Sequence, residues 1–430
     1  MIAPSTLDLA RRDPGIPGLA TVLDPDAFLV ALRRAARRAD LVSPRICSVR
    51  LEPHEYCRVA YQLDLAGRTV DLDVRAVRPG DLSPWFEEEG SDDDPGPLGV
   101  PHIVLEGDGV VVTAFPNDRK LPALRRLSDA TELERLLREV LPDRPELWGG
   151  DLTCLRYRAG RRFVGALRGA GGQRALLKLN TTKGFKRSLK SAIAFRPDRT
   201  LRVAGVLGAD EDLRLIVYEW MAGTMLFDLC ARPEMDLNAV AASATALAEL
   251  HGQDPPGLKP WAREARRADL SDAASEIGFL CPWFARQAMD LAARLSERLA
   301  DAPALDVPLH GDFSSRHVLV DGPSAAIIDL DLAYRGDPAD DLGGILAQVE
   351  RHAICGELPR ARAASFREAF LVAYREATRK PLPERIGLYR AIELFRGARF
   401  PFRKYEAEWE RQTRLLIHQA DNVLSRSASR

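Results

Sequence analysis

The sequence predicts an α+β protein in which a small β lobe precedes a large helical lobe. Three observations carry this. Period-two alternation fills the stretches 45–77 and 151–180, helical periodicity dominates beyond residue 236, and two short β-like runs, 317–322 and 325–331, interrupt those helices. At 430 residues the chain has room for two or three domains, and it can bury a sizeable core without disulfides or structural metals.

Taken in order, residues 1–43 read as helical, most clearly in AFLVALRRAARRADLV (27–42). Strands follow in ICSVRL, RVAYQLDL and TVDLDVRAV, with Ala66-Gly67 as a turn. The acidic, Pro- and Gly-rich stretch 81–99 reads as a mobile loop. A strand, GVVVTAF (109–115), then leads into a helix near 120–141. A second meander begins at DLTCLRY (151–157), turns through Arg158–Arg162, and continues in FVGALRG (163–169) and RALLKLN (174–180). A helix over 185–195 and a strand over 213–221 complete it. The two β stretches share one order at an offset of about 103 residues, which suggests a degenerate internal repeat or a cap module imitating the small lobe behind it. Helices are expected over 237–251, 271–280 and 284–300, and through most of the last hundred residues.

The charge balance, 61 basic against 62 acidic side chains, argues against a generally polybasic nucleic-acid binder. It conceals a split. Residues 1–350 carry 44 basic and 53 acidic groups, whereas residues 351–430 carry 17 and 9. The segment RAIELFRGARFPFRK (390–404) sets arginines beside aromatics, which suits a sugar or anionic acceptor or a surface for an acidic partner, and equally suits solvated helix faces. A polycationic ligand would want the opposite sign. Cysteines 47, 57, 154, 230, 281 and 355 are scattered without metal-site spacing and read as reduced thiols of a cytoplasmic protein. No signal-like start appears, and no run approaches the ~20 apolar residues of a membrane helix.

The chemistry lies in LHGDFSSRHVLVDGPSAAIIDLDLAYRGDPADDLGGIL, residues 309–346. A predicted hairpin separates Asp312 from Asp329 and Asp331, and a hairpin brings its ends together. Converging carboxylates suit a hard divalent cation plus a general base, the requirements of phosphoryl transfer. His310 reads as a loop-bracing residue that orients Asp312.

The order His-Gly-Asp, a ligand position five residues on, a hairpin, Ile-Asp-x-Asp and Asp-Pro-x-x-Asp-Leu resembles the aminoglycoside phosphotransferase and choline kinase-like family, whose members are small-molecule kinases. The resemblance implies a two-lobed protein-kinase-like fold with a small β-rich N-lobe and a large helical C-lobe. The extra N-terminal α+β module would span 1–148, the N-lobe 149–222 and the C-lobe 223–430. It implies ATP with Mg²⁺ or Mn²⁺ as cofactors, Asp312 as catalytic base, Asp329 as metal ligand with Asp331 as its acidic neighbour, and His317 at the second ligand position. Asp337-Pro338 and Asp341-Leu342 would brace the loop. Lys178 would meet the nucleotide phosphates, in a chain that otherwise uses 53 arginines to 8 lysines. Arg161 lies in the Arg158–Arg162 turn that would cover those phosphates. The backbone of Glu219 to Met221 would face the adenine.

Two features depart from the family pattern. His317 stands where the family has Asn, and imidazole favours transition metals over Mg²⁺. The histidine is then an indirect ligand, a Mn²⁺ ligand, or a weakened one. FKRSLKSAIAF (185–195) lacks the acid that usually pairs with the strand lysine. The expected function is ATP-dependent phosphorylation of a small-molecule hydroxyl, with the length and N-terminal module pointing to a sugar kinase of maltokinase or glucosamine-kinase type. The alternative is a pseudokinase-like nucleotide- or sugar-binding regulatory protein without turnover. Neither a membrane nor a nucleic acid is an expected partner.

Overall fold

A computed structural model describes residues 4–82, 95–260 and 263–428; most of the expected acidic loop, residues 83–94, lies outside them. The chain forms two compact units. The first comprises Met1–Thr181, Asp210–Leu215 and Phe402–Ala407; the second comprises Thr182–Ala209, Ile216–Pro401 and Glu408–Arg430. The expected boundary at 148–149 falls inside the first unit. The α+β class holds, with strands concentrated in the first unit and helices in the second.

In the first unit, Asp24 caps the helix Pro25–Ala36, accepting from the Asp26 and Ala27 amides at 2.9 and 3.3 Å. This helix ends before the expected residue 42. Arg37 turns left-handed (φ 53°), and Leu41 is already paired with Leu65 in a sheet, so strand pairing overrides the helical pattern. Strands β1 (Leu41–Glu52), β2 (Tyr56–Leu65), β3 (Arg68–Val77), β4 (His102–Leu105) and β5 (Val110–Ala114) form one sheet in the order β1-β2-β3-β5-β4. Alternate residues of β2, from Cys57 to Leu65, enter the core. There Tyr61 stacks on Phe28 with ring centroids 4.3 Å apart and donates to the Val22 carbonyl at 3.0 Å. The expected helix near 120–141 is two helices, Leu124–Ser128 and Ala130–Val140, because Asp129 is extended and caps the second.

The second meander consists of β6 (Asp151–Arg158), β7 (Arg162–Arg168) and β8 (Arg174–Asn180), all antiparallel. The β6–β7 pairing has one register shift, between Cys154 and Arg156, where the β1–β2 pairing has two. The Asn180 amide donates to the Arg214 carbonyl at 3.1 Å, which ties Asp210–Leu215 into this unit.

The second unit is built around the helix Leu237–His251, which is alanine- and leucine-rich and buried on nearly every face. Asp236 caps it through the Ala239 amide at 3.0 Å. The helices Arg263–Leu280, Ala285–Ala300, Ile386–Gly397 and Trp409–Ala428 share a second core. The helix Ala339–Ile354 joins the two, sending Leu342, Ile345 and Val349 into one core and Ala339 and Ala347 into the other. Among the described residues no helix is long and apolar enough to cross a membrane.

Partly buried ion pairs fasten these helices together. Arg266 meets Asp340 and Glu393; Arg396 meets Asp269 and Glu393; Arg399 meets Asp269 at 3.1 Å and Glu276 at 3.4 Å. Arg390 meets Glu350 at 2.6 Å. The expected basic ligand surface over 390–404 is therefore corrected at three of its arginines. Residues 390, 396 and 399 are spent on carboxylates of neighbouring helices. Removing one partner from such a cluster strands a buried charge. Arg266→Met is expected to cost about 3–5 kcal/mol in urea unfolding. Arg294→Met, which frees the more exposed Asp421, should cost under about 1 kcal/mol. Equal losses would contradict a cross-linking role for the cluster.

Candidate active site

The residues singled out between 309 and 346 form one closed excursion of the chain. Strand Val307–Leu309 leaves the core and strand Tyr334–Gly336 returns beside it, with Leu309 opposite Tyr334. Between them, Val318–Asp321 pairs with Ser324–Ile327, which is the expected hairpin. The Ile328 amide donates to the His317 carbonyl at 2.9 Å, so the hairpin sets residue 317 beside residues 328 and 329. Gly311 lies at φ 81° beneath the Leu332 carbonyl, where a Cβ would collide with the oxygen. Asp329 also has a positive φ, 63°, unusual for a non-glycine residue and a conformation that aspartate tolerates better than most.

Asp341, at the start of the helix Ala339–Ile354, reaches back to this excursion. Its Oδ2 accepts the His310 amide at 2.7 Å and its Oδ1 the Gly311 amide at 2.9 Å. The His251 Nε2 lies 3.1 Å from the same Oδ2, and the His251 Nδ1 lies 2.8 Å from the Tyr374 hydroxyl. Since the carboxylate can only accept, Nε2 is the donor to Asp341. Burial pushes the Asp341 carboxyl up; the hydrogen bond and charge of His251, helped by His310, outweigh it and hold the group below its ordinary value. His310 is fully buried, donates from Nε2 to the Ile328 carbonyl at 2.9 Å, and accepts the Asp312 amide at Nδ1 at 3.2 Å. Behind the loop, Gln348 accepts both the amide and the hydroxyl of Ser315, at 2.8 and 3.0 Å. Asp312 itself is exposed.

His317 links Asp312 to Asp329. Its Nδ1 donates to the Asp312 carbonyl at 2.9 Å, so in the neutral ring Nε2 carries a lone pair. That nitrogen faces the Asp329 Oδ2 at 3.6 Å, too far for a hydrogen bond. Burial, and secondarily the neighbouring His310, keep the His317 imidazole below its ordinary value against the pull of Asp312 and Asp329, which favours the neutral ring. Two electron-rich atoms thus face one another, and one belongs to an imidazole whose other nitrogen is fixed by a carbonyl. A histidine held in this way could ligate a metal through Nε2. Asp331 does not complete a protein-only cage, since among the described residues no three acid, histidine or cysteine side chains are grouped to hold an ion. A pair of donors fits a cation that takes its remaining ligands from substrate phosphates and water.

The other predicted residues are distributed over both units. In the first, Lys178 is buried in β8 opposite Val164, and Arg161 follows Gly160 in the turn between β6 and β7. In the second, the Glu219 amide donates to the Gly205 carbonyl at 2.9 Å and its carboxylate accepts the Gly205 amide at 3.1 Å. The Glu219 amide is therefore already engaged within this unit. Asp329 and Asp331 both lie near Tyr218, whose phenol is pushed up by burial and then by these two carboxylates. Sequence reasoning missed His251, Gln348 and Tyr374. No local signal marks them, for each sits within an ordinary helical pattern far from the loop.

Over residues 156–388 the sequence matches the family model APH, phosphotransferase enzyme family. Among solved structures, a thermostable mutant of the aminoglycoside phosphotransferase APH(4)-Ia in apo form is similar at 18% identity and a TM-score of 0.48, over 69% of this chain and 100% of that one. The macrolide 2'-phosphotransferase MphH from Brachybacterium faecium is similar at 20% identity and a TM-score of 0.47, over 67% of this chain and 98% of its own. A choline/ethanolamine kinase family protein from Mesorhizobium loti follows at 17% identity and a TM-score of 0.46, with coverages of 68% and 94%. No curated protein matches the chain.

A second histidine behind the loop gives a pH test. His352 is fully buried, 4.7 Å from the Phe227 ring, and Phe227 in turn donates its amide to the Ser315 carbonyl at 2.9 Å. Burial lowers the His352 imidazole from 6.5 to about 4, against the opposing pull of Glu357. Between these values the unfolded chain binds the extra proton, so stability is lost as pH falls through that window. The stability difference between wild type and His352→Gln should shrink by about 3 kcal/mol from pH 7 to pH 4 in urea unfolding. A difference that does not change with pH would refute the assignment.

Proposed function

This chain belongs to the phosphotransferase enzyme family, and we propose that it transfers the γ-phosphate of ATP to a hydroxyl of a sugar or related small molecule. The observation that carries this reading is His317 facing Asp329 beside the exposed Asp312, on a loop whose amides are fixed by Asp341. Asp312 would take the proton of the acceptor hydroxyl and orient its oxygen for in-line attack. Asp329 and His317 would hold a divalent cation, Mg²⁺ or Mn²⁺. Bound there, such an ion supplies neutralisation of phosphate charge. Lys178 would offset charge on the ATP phosphates, and the Arg158–Arg162 turn, with Arg161, would cover them. The Glu219 carbonyl and the Met221 amide would meet the adenine edge.

We assign residues 1–148 to an added module, 149–222 to the nucleotide-binding lobe and 223–430 to the lobe carrying base and metal ligands. The sugar reading rests on length and on that module. Charge no longer supports it strongly, because the arginines at 390, 396 and 399 are already paired. Use of ATP and six cysteines that form no disulfide fit a cytoplasmic setting. One observation favours a non-catalytic binding protein instead. The helix Thr182–Ala192 departs from the family pattern in containing no acid, and it turns Phe185, Ser188 and Ser191 inward.

A panel of sugars, amino sugars, choline and aminoglycosides, assayed with ATP and either Mg²⁺ or Mn²⁺, separates the two. Asp312→Asn should lower kcat by about 10²–10⁴ for whichever acceptor is used. Full turnover in that variant would remove Asp312 from the base role, and nucleotide binding without any turnover would favour the regulatory protein. His317→Asn should raise Mg²⁺-dependent turnover relative to Mn²⁺, since an amide oxygen is the harder ligand. An unchanged ratio would exclude His317 from the metal.

A further inference from the structure

The N-terminal module reaches the tip of the β6–β7 hairpin. Arg158 and Arg162 close that hairpin, the Arg161 amide returns to the Arg158 carbonyl at 2.9 Å, and Gly160 takes φ 63° at the apex. The Gly160 amide then points out of its own turn. It donates to the Asp118 Oδ2 at 2.5 Å, and the Tyr157 hydroxyl donates to the same oxygen at 2.9 Å. Asp118 is itself fixed, because its Oδ1 accepts the Lys120 amide at 2.9 Å and its carbonyl accepts the Leu121 amide at 3.0 Å.

The apex is held from a second side by Arg58 of β2. A Cβ on Gly160 would come within 2.8 Å of the Arg58 Nη2, so the guanidinium lies directly against the turn. Arg58 is pinned by a two-point pair with Asp73, at 2.5 and 2.9 Å. Phe115, three residues before Asp118, packs edge-on to Tyr157 at 5.1 Å and stacks on Phe163 at 6.2 Å. An exposed hairpin tip ordinarily moves on the ns–μs timescale. This one is fastened by a carboxylate, a guanidinium and an aromatic ring, all supplied from outside the meander.

We propose that Asp118 is a positioning residue through which the N-terminal module holds the Arg158–Arg162 turn in its nucleotide-covering geometry. This rests on the reading above that the turn covers the ATP phosphates. The Gly160 amide is spent on Asp118, so the turn serves the nucleotide through its placement and its Arg161 rather than through that amide. The module thereby acquires a task in the reaction without contributing an atom to it.

Steady-state kinetics on the full-length chain test the idea, with ATP varied at a saturating acceptor and ATP binding measured by calorimetry with the divalent metal present. Asp118→Ala should raise KM and Kd for ATP about tenfold, the loss expected for charge-assisted hydrogen bonds, while kcat stays within about twofold. Tyr157→Phe deletes one of the two bonds and should raise both constants about threefold, which keeps the test alive if Asp118→Ala fails to fold. Asp118→Asn keeps one acceptor oxygen and should recover part of the loss. Lys178→Ala is the control for the underlying reading. If Lys178→Ala weakens ATP binding and Asp118→Ala and Tyr157→Phe do not, the positioning role alone is refuted. Tighter ATP binding in Asp118→Ala would also refute it, since the carboxylate would then be a competitor. Absence of ATP binding by the wild type would overturn this proposal together with the nucleotide reading.

Discussion

The carboxylate of Asp341 fixes the chain where it turns into the candidate site. At His310 and Gly311 the backbone leaves its strand, and its amides would otherwise be buried without ladder partners, a costly state. A buried carboxylate carries a similar cost unless it is hydrogen-bonded. Each settles the other, and the His251–Tyr374 pair completes the set from two further helices. The position of Asp312 follows, one residue beyond the second captured amide. So does the course of the loop beneath Leu332, which leaves room only for glycine at 311. His310 then transmits the constraint to Ile328, next to the candidate metal ligand.

Charge in the helical unit works differently from what its composition suggests. The excess of arginine beyond residue 350 looks like a surface for anions, yet Arg390, Arg396 and Arg399 reach acids on helices brought alongside by folding. Arg266 does the same from the opposite side of the cluster. Planar guanidinium groups suit this task, because one arginine can bridge two carboxylates. A count of charges along the chain reports none of this.

The first unit holds both meanders, each with its first strand pair irregular in register. Contacts from Arg58, Phe115 and Asp118 to the β6–β7 hairpin explain why residues on either side of the expected boundary at 148 cluster as one body. A module that looks detachable in the sequence is joined to its neighbour at the hairpin where position matters most for the proposed chemistry.

What the sequence determined by itself is local. The period-two stretches became strands, the apolar runs around Asp321-Gly322-Pro323-Ser324 became a hairpin, and the helices over 237–251 and 284–300 lie within a residue of expectation, because each depends on neighbours a few positions away. The motif residues Asp312, His317 and Asp329 were legible for the same reason, as one hairpin suffices to bring them together. Tertiary structure alone decided the end of the first long helix at Ala36, the helix partners of the C-terminal arginines, and the roles of His251, Gln348 and Tyr374. Those outcomes join residues 24 to 130 positions apart, such as Leu41 with Leu65 and Arg399 with Asp269. Pairing over such distances is set by which surfaces meet when the cores close, and no periodicity along the chain encodes that meeting.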